Sequence, residues 1–258
     1  MRILDVGCGD GLLLSYLAGT LGAVCPGVTF EFYGFDVSDH GVQPEGYFQE
    51  AVGQLSRDHP NVPWAERLRL ISQSDPWPWP AEYFDVILSN QVLEHVRDHG
   101  RFFGEIARTL RPDGFSAHLF PLRHVLIEPH LHLPLVHRVR GQVSLDRFLR
   151  ILSWLGLGRF NRQRESLDSF AARHADYLRS NVNYMSTHEI LKFASDQLLH
   201  ADFRYTPQFY GAKLRRMLCR HPVVRYRPGA PTSGQALSTN ILKYLASVTL
   251  VVFRVLRP

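Results

Sequence analysis

Three glycines at alternate positions near the start of the chain are the first residues suited to ligand binding. Gly7, Gly9 and Gly11 follow the mostly apolar stretch 3–6 and precede a run that favours a helix. A residue without Cβ allows a sharp turn and lets a ligand touch the main chain, so the pattern predicts a strand, a ligand-binding turn and a helix. A dinucleotide fingerprint would place a glycine at position 12, where the chain has Leu12. The spacing therefore argues against a pyrophosphate-binding loop.

An acid stands at the end of the second predicted strand. The stretch 30–36 is apolar and aromatic, and it ends at Asp36. A carboxylate at this position accepts hydrogen bonds from both hydroxyls of a ribose in nucleoside-binding sheets. The alternative is that Asp36 only opens a turn. The glycine-rich turn upstream favours the ribose interpretation.

A histidine-rich segment, residues 124–137, is the strongest source of a general base. Its titratable side chains are His124, Glu128, His130, His132 and His137. Imidazole titrates near neutral pH, so we expect His130 to act as the base, with His124 and Glu128 as alternatives. A purely structural loop is a second interpretation. A metal site is a third, but no His-x-x-x-His spacing is present and two prolines indicate an extended loop, so no metal is predicted.

Strands and helices alternate in the first half of the chain. Strands are predicted at 2–6, 30–36, 67–72, 83–89 and 114–120, and helices at about 10–20, 43–58 and 98–110. Such alternation predicts a parallel sheet with helices on both faces and right-handed crossovers.

The pattern changes after Pro121. Helices are predicted at 143–157 and 164–181, and Ser186 and Glu189 form a capping box for a helix that ends near residue 200. The aromatic stretch 203–210 is predicted to be a sixth strand. A short helix and a β-branched closing strand are expected at the end of the chain.

Several segments resemble the class I S-adenosylmethionine (SAM) dependent methyltransferases. The motif D-x-G-x-G-x-G resembles their cofactor loop, and residues 77–96 resemble their segment LPFPxxxFDxVxSxxxLEHV, with Trp77 and Trp79 replacing Leu and Phe. Residues 110–114 resemble the family's turn into strand five. The resemblance covers residues 3–120 and is closest to the type-11 methyltransferase-domain group.

The resemblance implies a fold and a cofactor site. The fold is α/β, with a Rossmann-like, seven-stranded, mostly parallel sheet, helices on both faces and a mainly helical insertion between strands five and six. The cofactor is SAM, with S-adenosylhomocysteine as product. Gln73 stands where the family has an acid that contacts adenine, so Ser74 or Asp75 is an alternative there. The implied cofactor residues are Asp5, Gly7, Gly9, Gly11, Asp36, Gln73, Ser74 and Asn90. His95 is predicted to be a packed or pocket-edge residue rather than a base.

The domain prediction follows from the same elements. Residues 1–121 form the SAM-binding core, residues 122–184 form an insertion, and residues 185–258 supply the closing helices and antiparallel strands of the core. Ligands of open α/β sheets bind at the carboxyl ends of the strands. The insertion is therefore predicted to act as a lid that chooses the methyl acceptor.

Composition limits the remaining classes. The chain has 258 residues, 45% of them hydrophobic and 21% charged, which is typical of a globular protein. Three cysteines without a C-x-x-C pair, and no leader before the first strand, predict a cytoplasmic protein. The net charge of +5 comes without a known RNA-binding motif, which disfavours nucleic acid as a partner. The uncharged stretch between Lys243 and Arg254 is too short to span a membrane, but basic residues before it leave peripheral membrane contact open.

The function expected from the residues and the resemblance is methyl transfer to a small molecule or to a glycan- or lipid-linked acceptor, with oxygen favoured. The alternatives are methylation of RNA or another macromolecule, and a SAM-binding module without catalysis. An intact glycine loop and Asp36 argue against the last alternative.

Overall fold

A computed structural model describes residues 1–38, 44–158, 165–225 and 233–255. Its strands are β1 (Arg2–Val6), β2 (Glu31–Val37), β3 (Leu68–Ile71), β4 (Phe84–Asn90), β5 (Leu110–Pro121), β6 (Ile127–Glu128), β7 (Leu133–Pro134), β8 (Leu199–Asp202) and β9 (Ser247–Arg254). Seven of them form one sheet in the order β3-β2-β1-β4-β5-β9-β8, and β6 pairs with β7. Strands β1 to β5 pair in parallel, whereas β9 is antiparallel to both β5 and β8. The predicted fold class, including the closing antiparallel strand, is confirmed.

Helices cover both faces of the sheet. They are α1 (Leu12–Val24), α2 (Tyr47–Asp58), α3 (Trp64–Arg67), α4 (His99–Thr109), α5 (Gln142–Trp154), α6 (Leu167–Ser180), α7 (Thr187–Asp196), α8 (Thr206–Met217) and α9 (Ser233–Leu242). One apolar cluster includes Leu14, Leu55 and Trp64 of the first three helices. The other includes Phe103 of α4 and Ile190 of α7. A sheet buried on both faces places its strand ends, and not its faces, within reach of a ligand.

Local signals explain several helix starts. The Asp98 side chain caps α4 by accepting a hydrogen bond from the Arg101 amide. Both halves of the predicted capping box are present at α7, where Ser186 and Glu189 satisfy each other's backbone amides. The predicted helices at 43–58 and 164–181 correspond to α2 and α6; their first positions, Gln43 and Arg164, lie outside the described residues.

The predicted sixth strand at 203–210 is wrong. The strand β8 ends at Asp202, and residues 206–217 form α8. The Asp202 carboxylate accepts hydrogen bonds from the backbone and side chain of Arg204, which turns the chain at the end of the strand. A proline in the first turn of α8 suits a helix start. The aromatic residues suggested a strand, but the pairing of β8 with β9 decided which residues extend.

The segment between β5 and α7 has an apolar core of its own. Strands β6 and β7 and helices α5 and α6 enclose a buried cluster that includes Leu133, Leu149 and Phe170. Hydrogen bonds fasten this segment to the turn after β4, where the Asn183 amide donates to the Glu94 carbonyl at 2.6 Å. Within the described ranges, no helix is both long and apolar enough to cross a bilayer.

Candidate functional site

A cavity of about 1130 Å³ opens at the carboxyl ends of β1, β2, β3 and β4. Its walls come from the glycine turn, the tip of β2, the loop after β3 and the turn into α4. Tyr177 of α6 contributes from the insertion. This position is where open α/β sheets bind their ligands.

The three predicted glycines have different structural roles. All have positive φ angles, 70° at Gly7, 51° at Gly9 and 78° at Gly11. A Cβ on Gly7 would lie 2.5 Å from a methyl of Val92, and one on Gly11 would lie 2.6 Å from a methyl of Leu55. A Cβ on Gly9 would meet no atom within 4 Å. Gly7 and Gly9 line the cavity, whereas Gly11 does not, so its place is in the packing of α1 against α2.

Asp36 joins the tip of β2 to the glycine turn. One carboxylate oxygen accepts a hydrogen bond from the Gly9 amide at 2.9 Å, and the other accepts one from the Val37 amide at 2.8 Å. The Gly7 and Cys8 amides both donate to the carbonyl of Phe35. These bonds hold the turn in place before any ligand binds. The contact of Asp36 with the hydroxyls of a ribose stays a prediction.

Asp5 is a buried acid at the floor of the same cavity. Its side chain is 2% exposed, and burial, with a smaller contribution from the charge of Asp36, raises its pKa to about 8. A positively charged ligand group nearby would favour the ionised form of this carboxyl. The ammonium and sulfonium groups of SAM are such cations, so Asp5 fits the methionine end of that cofactor.

The remaining predicted cofactor residues also line the cavity. Gln73 and Ser74 follow β3, and Asn90 ends β4. The alternative residue Asp75 lines it too, but its carboxylate closes its own turn by accepting a bond from the Ser72 amide at 2.9 Å. All predicted cofactor residues except Gly11 therefore meet at one cavity. Their contacts with SAM stay predictions.

The structure does not place the predicted base in the cavity. His130, His124 and Glu128 are all absent from its lining. The His130 ring instead packs behind two lining residues, with its centroid 5.1 Å from that of His95 and 5.5 Å from that of Tyr177. The His124 ring lies against Tyr244. The histidine-rich segment folds back on itself, because β6 pairs with β7.

Glu128 holds the folded-back histidine-rich segment in place through hydrogen bonds. Its fully buried carboxylate accepts hydrogen bonds from the Leu131 amide, the Tyr184 hydroxyl and Nδ1 of His130 at 2.5–2.7 Å. Burial acts to raise the pKa of Glu128, but these bonds outweigh it and the pKa is lowered. Burial likewise acts to lower the pKa of His130, and the bond and charge of Glu128 outweigh it, so that pKa is raised.

His95 lies at the edge of the cavity, as the sequence predicted, and the neighbouring Glu94 has an importance that the sequence did not predict. His95 lines the cavity, and its Nδ1 lies 2.6 Å from the carbonyl oxygen of Asn181. Glu94 is 1% exposed, and burial raises its pKa to about 8. The L-E-H motif drew attention to both positions, but nothing in the local sequence shows that His130 and Tyr177 pack beside them.

The sheet order and the cavity define a Rossmann-like protein with a nucleoside-type cofactor site at the carboxyl edge of its sheet. Residues 1–189 match a family model described as a methyltransferase domain. The chain belongs to the class I SAM-dependent methyltransferases, and SAM is the cofactor of this family.

Curated relatives match part of the chain. Over 114 residues the chain is 32% identical to ubiquinone biosynthesis O-methyltransferase of Rhodopseudomonas palustris (strain HaA2). This match covers 44% of this chain and 37% of that protein. It is 35% identical over 114 residues to the protein of the same name from Paramagnetospirillum magneticum, covering 44% and 38%. The match thus spans well under half the length of these relatives. The YcgJ protein from Bacillus subtilis aligns with 99% of this chain and 92% of its own, at 15% identity and a TM-score of 0.49, which is too low to inform function.

Proposed function

We propose that this protein transfers the methyl group of SAM to a hydroxyl oxygen of a small-molecule acceptor, free or carried on a glycan or lipid. The size of the cavity is the observation that carries the proposal. Pockets for one drug-sized ligand measure about 300–1,000 Å³, whereas this cavity measures about 1130 Å³. Its lining extends from the glycine turn to Tyr177 of the insertion, which supports space for an acceptor beside the cofactor.

The two ends of the cavity differ in chemistry. Asp5, Gly9 and Asp36 form the end that suits the cofactor. His95 and Tyr177 form part of the other end, which borders the insertion. Oxygen as the methylated atom is supported by the name of the curated relatives, which are O-methyltransferases.

SAM supplies an activated methyl group, so the protein has to align the acceptor and exclude water. The turn at Gly9 lets SAM approach the main chain closely, and Asp36 holds the ribose of SAM. His95 replaces His130 as the proposed proton acceptor, because His95 is the imidazole of the two that reaches the cavity. Its Nδ1 faces a carbonyl oxygen, which fixes the proton there and leaves the Nε2 lone pair to accept the hydroxyl proton.

Residues 122–184 act in this proposal as the lid that selects the acceptor. Tyr177 brings the insertion to the cavity wall, and the separate apolar core of the insertion gives it a shape of its own. Contact with a membrane surface suits a lipid-linked acceptor. The end of helix α8 supports such contact, because Arg215 and Arg216 lie between the exposed Leu214 and Met217, and the exposed Leu218 follows the helix. Failure of the protein to sediment with anionic vesicles would remove this part of the proposal.

A methyl-transfer assay tests the proposal. The protein is incubated with SAM and matched sets of hydroxyl, amine and carboxylic acid acceptors, and formation of S-adenosylhomocysteine is measured. We expect turnover with the hydroxyl set. His95→Ala should lower kcat by about 10²–10⁴ and leave affinity for S-adenosylhomocysteine within a few-fold. His188→Ala, on the exposed start of α7, is the control. Transfer only to amines, or full activity of His95→Ala, would contradict the proposal.

A further inference from the structure

Three possible metal ligands from two separate parts of the chain meet beside the cavity. Glu94 and His95 lie in the 3-10 turn after β4, and His130 lies between β6 and β7. One ligand-type atom of each lies within 4.8 Å of the others. Ligand atoms at about 2.0–2.2 Å from one tetrahedral ion lie roughly 3.3–3.6 Å apart. The three ligand atoms would have to move closer together than 4.8 Å to reach that arrangement.

The hydrogen bonds of the two histidines orient them as metal ligands. Nδ1 of His130 lies 2.7 Å from a carboxylate oxygen of Glu128, and Nδ1 of His95 lies 2.6 Å from the carbonyl oxygen of Asn181. Both partners only accept hydrogen bonds, so Nδ1 carries the proton in each ring and Nε2 keeps its lone pair. Metal-binding histidines are held in the same way, with the second nitrogen bonded to a carboxylate or a carbonyl.

The buried carboxylate of Glu94 is an independent indication of a cation site. Its side chain is 1% exposed, and neither carboxylate oxygen has a hydrogen-bond partner in the part of the chain that the structure describes. A buried carboxylate without a partner is costly, whereas one that coordinates a metal is compensated. Glu128 shows the contrast, because its equally buried carboxylate has three donors.

We propose that Glu94, His95 and His130 bind a divalent transition-metal ion, with Zn²⁺ as the best match. Two imidazoles and one carboxylate suit Zn²⁺, whereas Mg²⁺ prefers oxygen ligands throughout. Three protein ligands leave one position of a tetrahedral ion open, as in catalytic zinc sites. Since His95 lines the cavity, the ion lies at the wall of the acceptor end. With the ion bound, Nε2 of His95 would be a metal ligand and no longer the base; the ion would lower the pKa of a coordinated hydroxyl, whose proton would pass to solvent water.

The ion also explains how the insertion is held. His130 belongs to residues 122–184, and the other two ligands belong to the core, so metal binding ties the two together. No metal was predicted from the sequence, because the histidines of residues 124–137 lack the spacing of a metal site within that one segment. Spacing within one segment cannot show ligands that come from two segments.

The test is a Zn²⁺ titration of the full chain after treatment with a chelator. We expect one ion per chain by calorimetry, no competition by an equal concentration of Mg²⁺, and visible absorption bands when Co²⁺ replaces Zn²⁺. Glu94→Gln and His130→Ala should each lower the affinity by more than about 100-fold, since losing a ligand exceeds the 10–100-fold effect of losing an outer hydrogen bond. His124→Ala, in the same segment but against Tyr244, should bind as the unmodified protein does.

Glu128→Gln separates positioning from ligation. Its side chain touches His130 and not the ion, so we expect an intermediate loss of about 10–100-fold. Affinity for S-adenosylhomocysteine reports the fold of every variant. If a variant also loses that affinity, the Co²⁺ spectrum of the unmodified protein decides the question. No binding of one Zn²⁺ per chain, equal binding by Glu94→Gln and His124→Ala, or a Co²⁺ spectrum without nitrogen ligation would overturn the proposal.

Discussion

The two ends of the cavity are built in different ways. At the cofactor end, the turn after β1 is held by backbone amides that donate to Phe35 and Asp36, at the tip of the neighbouring strand. At the end that borders the insertion, which we propose binds the acceptor, His95 and the neighbouring Glu94 are held by the carbonyl of Asn181 and the amide of Asn183, far along the chain. The first end depends on short motifs at strand ends. The second depends on how an insertion packs. A cofactor common to a family can therefore be predicted from motifs that do not define the acceptor.

The insertion also has a core that is separate from the sheet. Phe170, Leu149 and Leu133 pack with each other and belong to a different apolar cluster from Phe103 and Ile106. Two separate apolar cores can lose stability independently. The following predictions use this difference.

The largest effect is expected at the glycine turn. Gly9→Arg should abolish binding of S-adenosylhomocysteine, a loss of more than about 1,000-fold. The new side chain would occupy the open space in which the cofactor is expected to contact the main chain of the turn. Gly27→Arg is the matched control, since Gly27 also has a positive φ and open space but lies in an exposed turn. Calorimetry measures both. Equal affinity in the two variants would break the assignment of the cofactor end.

Phe170→Ala should destabilise the insertion by about 3–5 kcal/mol, since its ring is fully buried in the separate core. Turnover should be lost while affinity for S-adenosylhomocysteine stays within a few-fold. Limited proteolysis should cut first within residues 122–184. Val143→Ala, on the exposed face of α5, is the control. Loss of cofactor binding along with turnover would show that the two ends are not independent.

Asp5→Asn should stabilise the cofactor-free protein by a few kcal/mol at pH 8 and hardly at pH 4. Burial raises the pKa of Asp5 from 3.8 to about 8. Between these values the unfolded state releases the proton and the folded state keeps it, so the stability of the unmodified protein falls as pH rises through this window. Urea unfolding at pH 4, 6 and 8 measures the difference. A constant difference for Asp5→Asn at the three pH values would contradict this explanation.

Asp36→Asn should weaken cofactor binding by roughly tenfold to a hundredfold, or about 1.5–3 kcal/mol. The amide keeps one acceptor oxygen for the turn but loses the charge that favours both ribose hydroxyls. Asp58→Asn, on exposed α2, is the comparison. An effect as large as that of Gly9→Arg would mean that Asp36 acts mainly by shaping the turn, through its bond to the Gly9 amide.

The sequence determined the sheet and the cofactor end, because both depend on local patterns. Apolar runs followed by Gly7, Asp36 and Asn90 place these residues at strand ends, and parallel strands bring their carboxyl ends to one edge. The capping box at Ser186 likewise fixed the start of α7 within its own first turn.

Tertiary structure decided the rest. The β8 strand lies at 199–202 and not at 203–210, because pairing with β9 outweighs local preference. The sequence favoured His130 as the base for its residue type, but the pairing of β6 with β7 turns it behind His95 and onto Glu128. Glu94 and His130 meet only after the insertion packs on the turn beyond β4. Contacts between residues far apart in the chain leave no spacing to recognise, since their distance is set by packing alone.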